Sequence, residues 1–189
     1  MTALRRYVSS YIGETAALAS PIDQDALVRA VQILDATRKR GGRLFCLGVG
    51  GRAANASHAA GDFRKMAGLE AYAPTDNAAE LTAWTNDEGW DGVFVNWLRE
   101  SRLSANDTLL VLSVGGGSAR VSHNLSLATG MARKKKAAIV AIASRDGGRA
   151  RKLADAFIHV PVVNQKRITP HAEGWQSVLL HLIVNALCR

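Results

Sequence analysis

His58 and Asp62, four residues apart, are the first pair in this 189-residue chain whose spacing can do chemistry. On a helix, that spacing puts both side chains on one face, where they either meet a common ligand or metal ion or form an ordinary surface pair. His181 stands in the apolar run Val178-Leu179-Leu180-His181-Leu182-Ile183-Val184 and faces either core or cleft, with Glu173 near the start of the same expected helix. His171 reads as a loop residue just before that helix, while His123 and His159 carry no clear signal. Asn86-Asp87 falls in Thr85-Asn86-Asp87-Glu88-Gly89, a stretch with the composition of a turn.

Two glycine-rich segments add an anion-binding chemistry. In the stretch from Asp107 to Asn124, Leu109-Leu110-Val111-Leu112 ends in Ser113 and drops into Val114-Gly115-Gly116-Gly117-Ser118, with a helical pattern following at once. Such a pattern predicts a strand buried on both faces, a tight turn and a helix start. The free N–H groups of a helix start and its dipole attract anions, and Ser113 and Ser118 would add hydroxyl donors, so a phosphate cradle is expected. The other segment, Gly48-Val49-Gly50-Gly51-Arg52-Ala53, lacks the third glycine of a dinucleotide fingerprint, and no acid closes a second strand some twenty residues on. Arg52 is a cation at a predicted helix start, where the dipole disfavours it by roughly 0.3–1 kcal/mol. Either its guanidinium grips an anion in bidentate fashion or it swings into solvent.

The elements that must position these groups follow from periodicity. Two helices are expected through about Leu18 and from Asp23 to Arg40, then a strand over Leu44–Leu47 and a helix over Arg52–Met66. A short strand over Ala71–Pro74 and helices over Ala78–Thr85 and Trp90–Leu98 come next. After the strand ending at Leu112 and its helix to about Ala132 come a strand over Ala138–Ile142, a helix over Gly147–Leu153 and a strand over Phe157–Val163. A closing helix runs from about Glu173 to Leu187. Alternating strands and helices predict an α/β three-layer sandwich with a parallel, flavodoxin-like sheet behind an N-terminal helical hairpin. Both glycine loops then lie at the carboxyl ends of strands and face one crevice.

At 48% hydrophobic, the chain suits one domain over residues 1–189, with residues 1–40 as the hairpin and 41–189 as the core, burying roughly 70% of its unfolded surface. No apolar stretch approaches the ~20 residues of a membrane span. The N-terminal stretch MTALRRYVSSYIGET carries acid and no apolar signal core, and Cys46 and Cys188 make no disulfide framework, so a cytoplasmic protein without a membrane partner is expected. The formal net charge of +8 favours an anionic partner. Without a basic stripe interleaved with aromatics, a zinc-finger spacing or a ribonucleoprotein motif, that partner is not expected to be nucleic acid. Arg133-Lys134-Lys135-Lys136 reads as the solvated last turn of a helix.

Taken together, these residues resemble the sugar isomerase (SIS) domain family, and within it the phosphoheptose isomerases, over essentially the whole chain. The family's Gly-Asn-Gly-Gly-Ser loop is matched by Gly48 to Arg52, and its His and Glu four residues apart by His58 and Asp62. Asn86-Asp87 matches its Asn-Asp loop, and Ser113 to Ser118 its Ser-Thr-Ser-Gly-Asn-Ser phosphate loop. Asp146-Gly147-Gly148 matches its Asp-Gly-Gly turn, and Glu173 and His181 the Gln and His eight apart on its last helix. The resemblance implies a homotetramer, with the hairpin used in oligomerisation and sites at subunit contacts. It also implies isomerisation of sedoheptulose 7-phosphate to a heptose 7-phosphate through an enediol, with Asp62 as base and His181 as acid. Zinc would sit among His58, Asp62, Glu173 and His181. Substrate contacts would come from Gly50, Gly51, Arg52, Asn86, Asp87, Ser113, Gly115, Gly116, Ser118 and Glu173. The chain departs from the pattern at Val49, Arg52, Asp62, Gly115 and Glu173. Arg52 is expected to take over part of the anion binding, and Glu173 to add a charged oxygen ligand. The competing reading is a non-catalytic, phosphosugar-binding or regulatory SIS-domain protein resembling the members that associate with the bacterial replication initiator. The presence of both His58 and His181 favours the isomerase.

Overall fold

A computed structural model describes residues 2–189. Five strands, β1 (Leu44–Leu47), β2 (Ala71–Tyr72), β3 (Thr108–Leu112), β4 (Ala138–Ala143) and β5 (Ala156–His159), form one parallel sheet in the order β2-β1-β3-β4-β5. This is the flavodoxin-like order, with the chain reversing direction across the sheet between β1 and β3. Leu44 pairs with Thr108 and Leu47 with Val111, so the two strands end side by side and deliver their glycine loops to the same edge.

Every residue of β1 and β3 is buried, which explains why both segments are apolar without alternation. Their side chains divide between two cores. Leu44, Cys46, Leu110 and Leu112 pack with α2 (Gln24–Lys39), α3 (Gly51–Lys65) and α8 (Ile168–Leu187). Phe45, Leu47, Leu109 and Val111 pack with α5 (Val93–Glu100), α6 (His123–Lys134) and α7 (Gly148–Leu153) on the other face. The result is the expected three-layer arrangement, with α4 (Ala78–Glu88) lying against α5.

At four of the boundaries that differ from the sequence reading, the reason is local. The helix expected directly after the Ser113–Ser118 loop begins only at His123, because Gly116, Gly117 and Ser122 all adopt positive φ and carry the chain through an irregular turn. β5 stops at His159 rather than reaching Val163: the Val160 amide makes one more bond to Ala143, and Pro161 has no N–H to continue the ladder. α8 starts at Ile168, five residues earlier than expected, with Pro170 in its first turn, where a missing N–H costs nothing. Asn86-Asp87 is the last turn of α4 rather than a loop, and Gly89 supplies the positive-φ cap.

The helix α1 (Ala3–Ala17) has no buried residue of its own. It docks through polar contacts instead. Glu14 accepts hydrogen bonds from Asn164 Nδ2 at 2.8 Å and His171 Nε2 at 2.9 Å and pairs with Arg167 Nε at 3.4 Å. The Arg167 guanidinium lies 4.8 Å from the Tyr7 ring centroid, and Trp175 Nε1 donates to the Thr15 carbonyl. The hydrogen bond from His171, then that from Asn164, hold the Glu14 carboxyl well below its ordinary 4.5, at about 2. A depressed carboxyl stabilises docking above its unfolded value, and that contribution disappears as pH falls from about 4.5 toward 2. Hydrogen-exchange protection of the α1 amides will fall across that window in the wild type. Glu14→Gln will lack this step, and an identical profile in both proteins would show that the clamp does not hold α1.

Candidate functional site

The side chains able to transfer protons come from two neighbouring helices. His58 and Asp62 lie one turn apart on α3, with His58 Nε2 3.3 Å from Asp62 Oδ2. His181 reaches across from α8 to place its Nε2 3.6 Å from the same oxygen, its ring 5.1 Å from that of His58 and nearly perpendicular to it. His181 therefore faces a cleft and not the core: Leu179, Leu180, Ile183 and Val184 of its run are buried, whereas Val178, His181 and Leu182 are exposed. One nitrogen from each imidazole and one carboxylate oxygen lie within 4.8 Å of one another. Two nitrogens and an oxygen with solvent on the open side suit a zinc ion that retains an exchangeable position.

The β1 and β3 loops, joined by those after β4 and at the start of α8, enclose a cavity of about 220 Å³. Its lining holds Val49 and Arg52, the backbone from Ser113 to Gly115, Ser122, Arg145 and Thr169, and includes no acidic side chain. Gly50, at φ +66°, turns the chain into α3 without a side-chain cap, so the helix start is left to other partners. Three hydroxyls line the space, those of Ser113, Ser122 and Thr169. Ser118 lies in the lining of an adjoining cavity beside Asp146 and Arg149, and its oxygen accepts from the amides of Arg120 and Val121. Ser122 thus stands at this cavity in the place expected for Ser118. Two cations, Arg52 and Arg145, and no acid make the cavity suited to an anion.

Backbone packing fixes the loop's shape. A Cβ on Gly116 would overlap the Gly147 carbonyl, and one on Gly148 would overlap the carbonyls of Gly115 and Gly117. The first amides of α7 are consumed by this contact, with Arg149 N donating to Gly117 O and Ala150 N to Gly116 O. Gly116 N itself donates to Ser113 Oγ at 3.0 Å. Beneath the loop, the fully buried Gln176 donates from Nε2 to the carbonyls of Ser113 at 2.8 Å and Ile142 at 3.0 Å, pinning the ends of β3 and β4 to α8.

Glu173 stands apart from the group formed by His58, Asp62 and His181. Arg52 Nη1 donates to Glu173 Oε2 at 2.9 Å, and Asn55 Nδ2 to the Glu173 backbone carbonyl at 2.9 Å. The eight residues separating Glu173 from His181 span about 12 Å of helix, which leaves the carboxylate beside the first turn of α3 instead. Gly51 makes room for it, since any Cβ there would collide with the carboxylate. Asn86 and Asp87 are exposed on α4, hydrogen-bonded to each other at 2.7 Å, and belong to neither group in a single chain. The sequence reading passed over Arg145, Thr169 and Gln176. Arg145 sits directly before the Asp146-Gly147-Gly148 turn, the one signal that could have drawn attention to it.

The two neighbouring glycines make opposite predictions. Gly116→Ala forces a side chain into a positive-φ position against backbone and will cost at least about 1–3 kcal/mol in thermal unfolding. Gly115 has open space around its Cβ direction. Gly115→Ser will leave stability within about 0.5 kcal/mol, and its added donor will tighten inorganic phosphate by about 0.5–1.5 kcal/mol in a titration.

The SIS domain family model matches residues 10–144. The chain is 34% identical over 190 residues to lincomycin biosynthesis protein LmbN of Streptomyces lincolnensis, covering 96% of this chain and 67% of that protein. Against the phosphoheptose isomerase of Aliarcobacter butzleri it is 31% identical, covering 92% of each chain. The solved phosphoheptose isomerase GmhA of Neisseria gonorrhoeae superposes with a TM-score of 0.85 at 26% identity, covering 98% of this chain and 99% of the other. The chain therefore belongs to the SIS domain family and, within it, to the phosphoheptose isomerase type of isomerase enzymes.

Proposed function

We propose that the protein interconverts sedoheptulose 7-phosphate, or a related ketose phosphate, with the corresponding aldose phosphate by proton transfer through an enediol. The observation that carries this reading is the approach of His58 and His181 to a single oxygen of Asp62, beside a cation-lined cavity. Aldose–ketose interchange moves a proton between adjacent carbons while protons shift on the attached oxygens. Asp62 is the base that takes the carbon-bound proton and returns it to the neighbouring carbon. His181 serves the oxygens as acid. Each role is worth on the order of 10²–10⁴ in rate.

The phosphate end belongs in the cavity of Arg52, Ser113, Gly115 and Arg145. Six residues of α3 separate Arg52 from His58, about 9 Å of helix, which favours an extended sugar phosphate over a short one. Holding that distal group converts binding into orientation at the reacting carbons. Similarity to a lincomycin biosynthesis protein, together with the departures at Val49, Arg52 and Gly115, keeps a related sugar within the proposal.

His58, Asp62 and His181 would hold zinc, with Glu173 able to join only after leaving Arg52. Bound there, zinc would act as a Lewis acid on the sugar's oxygens. We assign the protein to a homotetramer, with sites completed at subunit contacts by groups such as Asn86 and Asp87. The exposed side chains of Leu4, Val8 and Ile12 along α1 suit a helix covered by another copy. Cytoplasmic placement accords with two free cysteines, and no helix among the described residues is long and apolar enough to cross a membrane.

Incubation of zinc-loaded protein with sedoheptulose 7-phosphate will yield aldose phosphate. Asp62→Asn and His181→Ala will each lower kcat by about 10²–10⁴ with unchanged circular dichroism. Absence of turnover with this and related ketose phosphates in folded, metal-loaded protein overturns the proposal. Metal analysis will find one zinc per chain in the wild type and a large loss in His58→Ala.

A further inference from the structure

Arg52 faces two ways. It lines the cation-rich cavity, and it also donates to Glu173 Oε2 at 2.9 Å, with the side chain of Arg52 20% exposed and that of Glu173 35% exposed. Among the described residues, Arg52 is the only ion-pair partner of Glu173. The backbone on both sides is fixed: Asn55 holds the Glu173 carbonyl, and Gly51 gives the carboxylate a seat that any other residue would fill. The carboxylate is therefore held by one charged contact, to a guanidinium that also lines the cavity, on a side chain that is partly open to solvent.

From this geometry we infer that Glu173 is an affinity-setting residue of the binding site, an internal carboxylate that occupies Arg52 and has to be displaced by the phosphate of the substrate. The inference rests on the reading of this cavity as the phosphate end of the site. An incoming monoanion merely exchanges one carboxylate-like contact at Arg52 for another. A doubly charged phosphate ester makes a stronger contact there and also meets Arg145, so only the dianion gains by the exchange. Glu173 thereby lowers the affinity of every anion that binds at Arg52 by a similar factor, so that at a given concentration only an anion with a strong contact of its own occupies the site. Its carboxylate, once displaced, is released from the start of α3.

The test uses metal-free protein at mildly alkaline pH, with inorganic phosphate and acetate as probes and binding followed by NMR shifts. Wild type, Glu173→Gln, Arg52→Ala and the double variant are compared, with thermal midpoints recorded for each. Glu173→Gln will bind phosphate roughly tenfold more tightly. It will also bind acetate more tightly by a similar factor, since both anions are relieved of the same competitor. In the Arg52→Ala background the same substitution will change phosphate affinity by less than about twofold. Unchanged or weaker phosphate binding in Glu173→Gln, with normal binding by the wild type and weakened binding by Arg52→Ala, overturns the displacement and leaves the phosphate site standing. An equal gain with and without Arg52 overturns it as well, since Glu173 would then act through the general field. Failure of all four proteins to bind phosphate overturns both this inference and the reading of the cavity on which it rests.

Discussion

Close packing of α3 against α8 is the constraint from which the site follows. Gly51 at the start of α3 leaves room for the Glu173 carboxylate of the longer helix, and Asn55, His58 and Asp62 meet that helix along the turns that follow. The two helices then run side by side in register. Between the Asn55–Glu173 and Asp62–His181 contacts, α3 advances seven residues and α8 eight. Two groups of contacts, separated by about 10–12 Å along both helices, are the result. One contains an ion pair beside the glycine loops, and the other contains two imidazoles around a carboxylate. Replacing Gly51 with a larger residue would press on the Glu173 carboxylate and disturb the first of these groups.

The same helix controls the loops from below. Gln176 lies on α8 between Glu173 and His181, and its amide ties the Ser113 and Ile142 carbonyls, at the ends of the two central strands, to the helix. Above them, the glycine loop caps α7 with its own carbonyls, so the dipole of that helix is spent on the fold. The anion site consequently depends on two guanidiniums, three hydroxyls and the start of α3. A cradle made of backbone amides alone accepts any anion of suitable size. One in which Arg52 carries an internal carboxylate admits only an anion able to out-compete it.

Much of this was legible in the sequence, and what was not has physical causes. The strands ending at Leu47 and Leu112 were readable because both cores claim them, leaving continuous apolar runs next to glycine. His58 and Asp62 were readable because their pairing is local. The Arg52–Glu173 pair joins residues 121 positions apart, and nothing in either segment identifies the other. The resemblance placed Glu173 in one zinc set with His181, whereas the rise of the helix they share leaves its carboxylate on Arg52. Pro170 concealed the true start of α8 and so made His171 look like a loop residue, although it is buried against Glu14. Gln176, a polar residue in an apolar helix, gave no periodic signal of the two carbonyls it serves.

The positions where the chain departs from the phosphoheptose isomerase pattern are not independent. A serine replaced by Arg52 introduces a cation at the positive end of α3, an unfavourable place for it by roughly 0.3–1 kcal/mol. A glutamine replaced by Glu173 introduces an anion whose ideal partner is a guanidinium. The cation is unfavourable there alone, and the carboxylate answers it at 2.9 Å. Their joint effect is to place beside the cavity a pair of charges that sums to zero and has to come apart for an anion to take Arg52. Loss of the serine at Gly115 has the opposite character, since it leaves space and no substitute donor. Such a site has exchanged neutral hydrogen bonding for charge recognition. On the proposed function, it makes fewer directional demands on the sugar near the phosphate and leaves selection among sugars to the end where Asp62 and the two histidines meet.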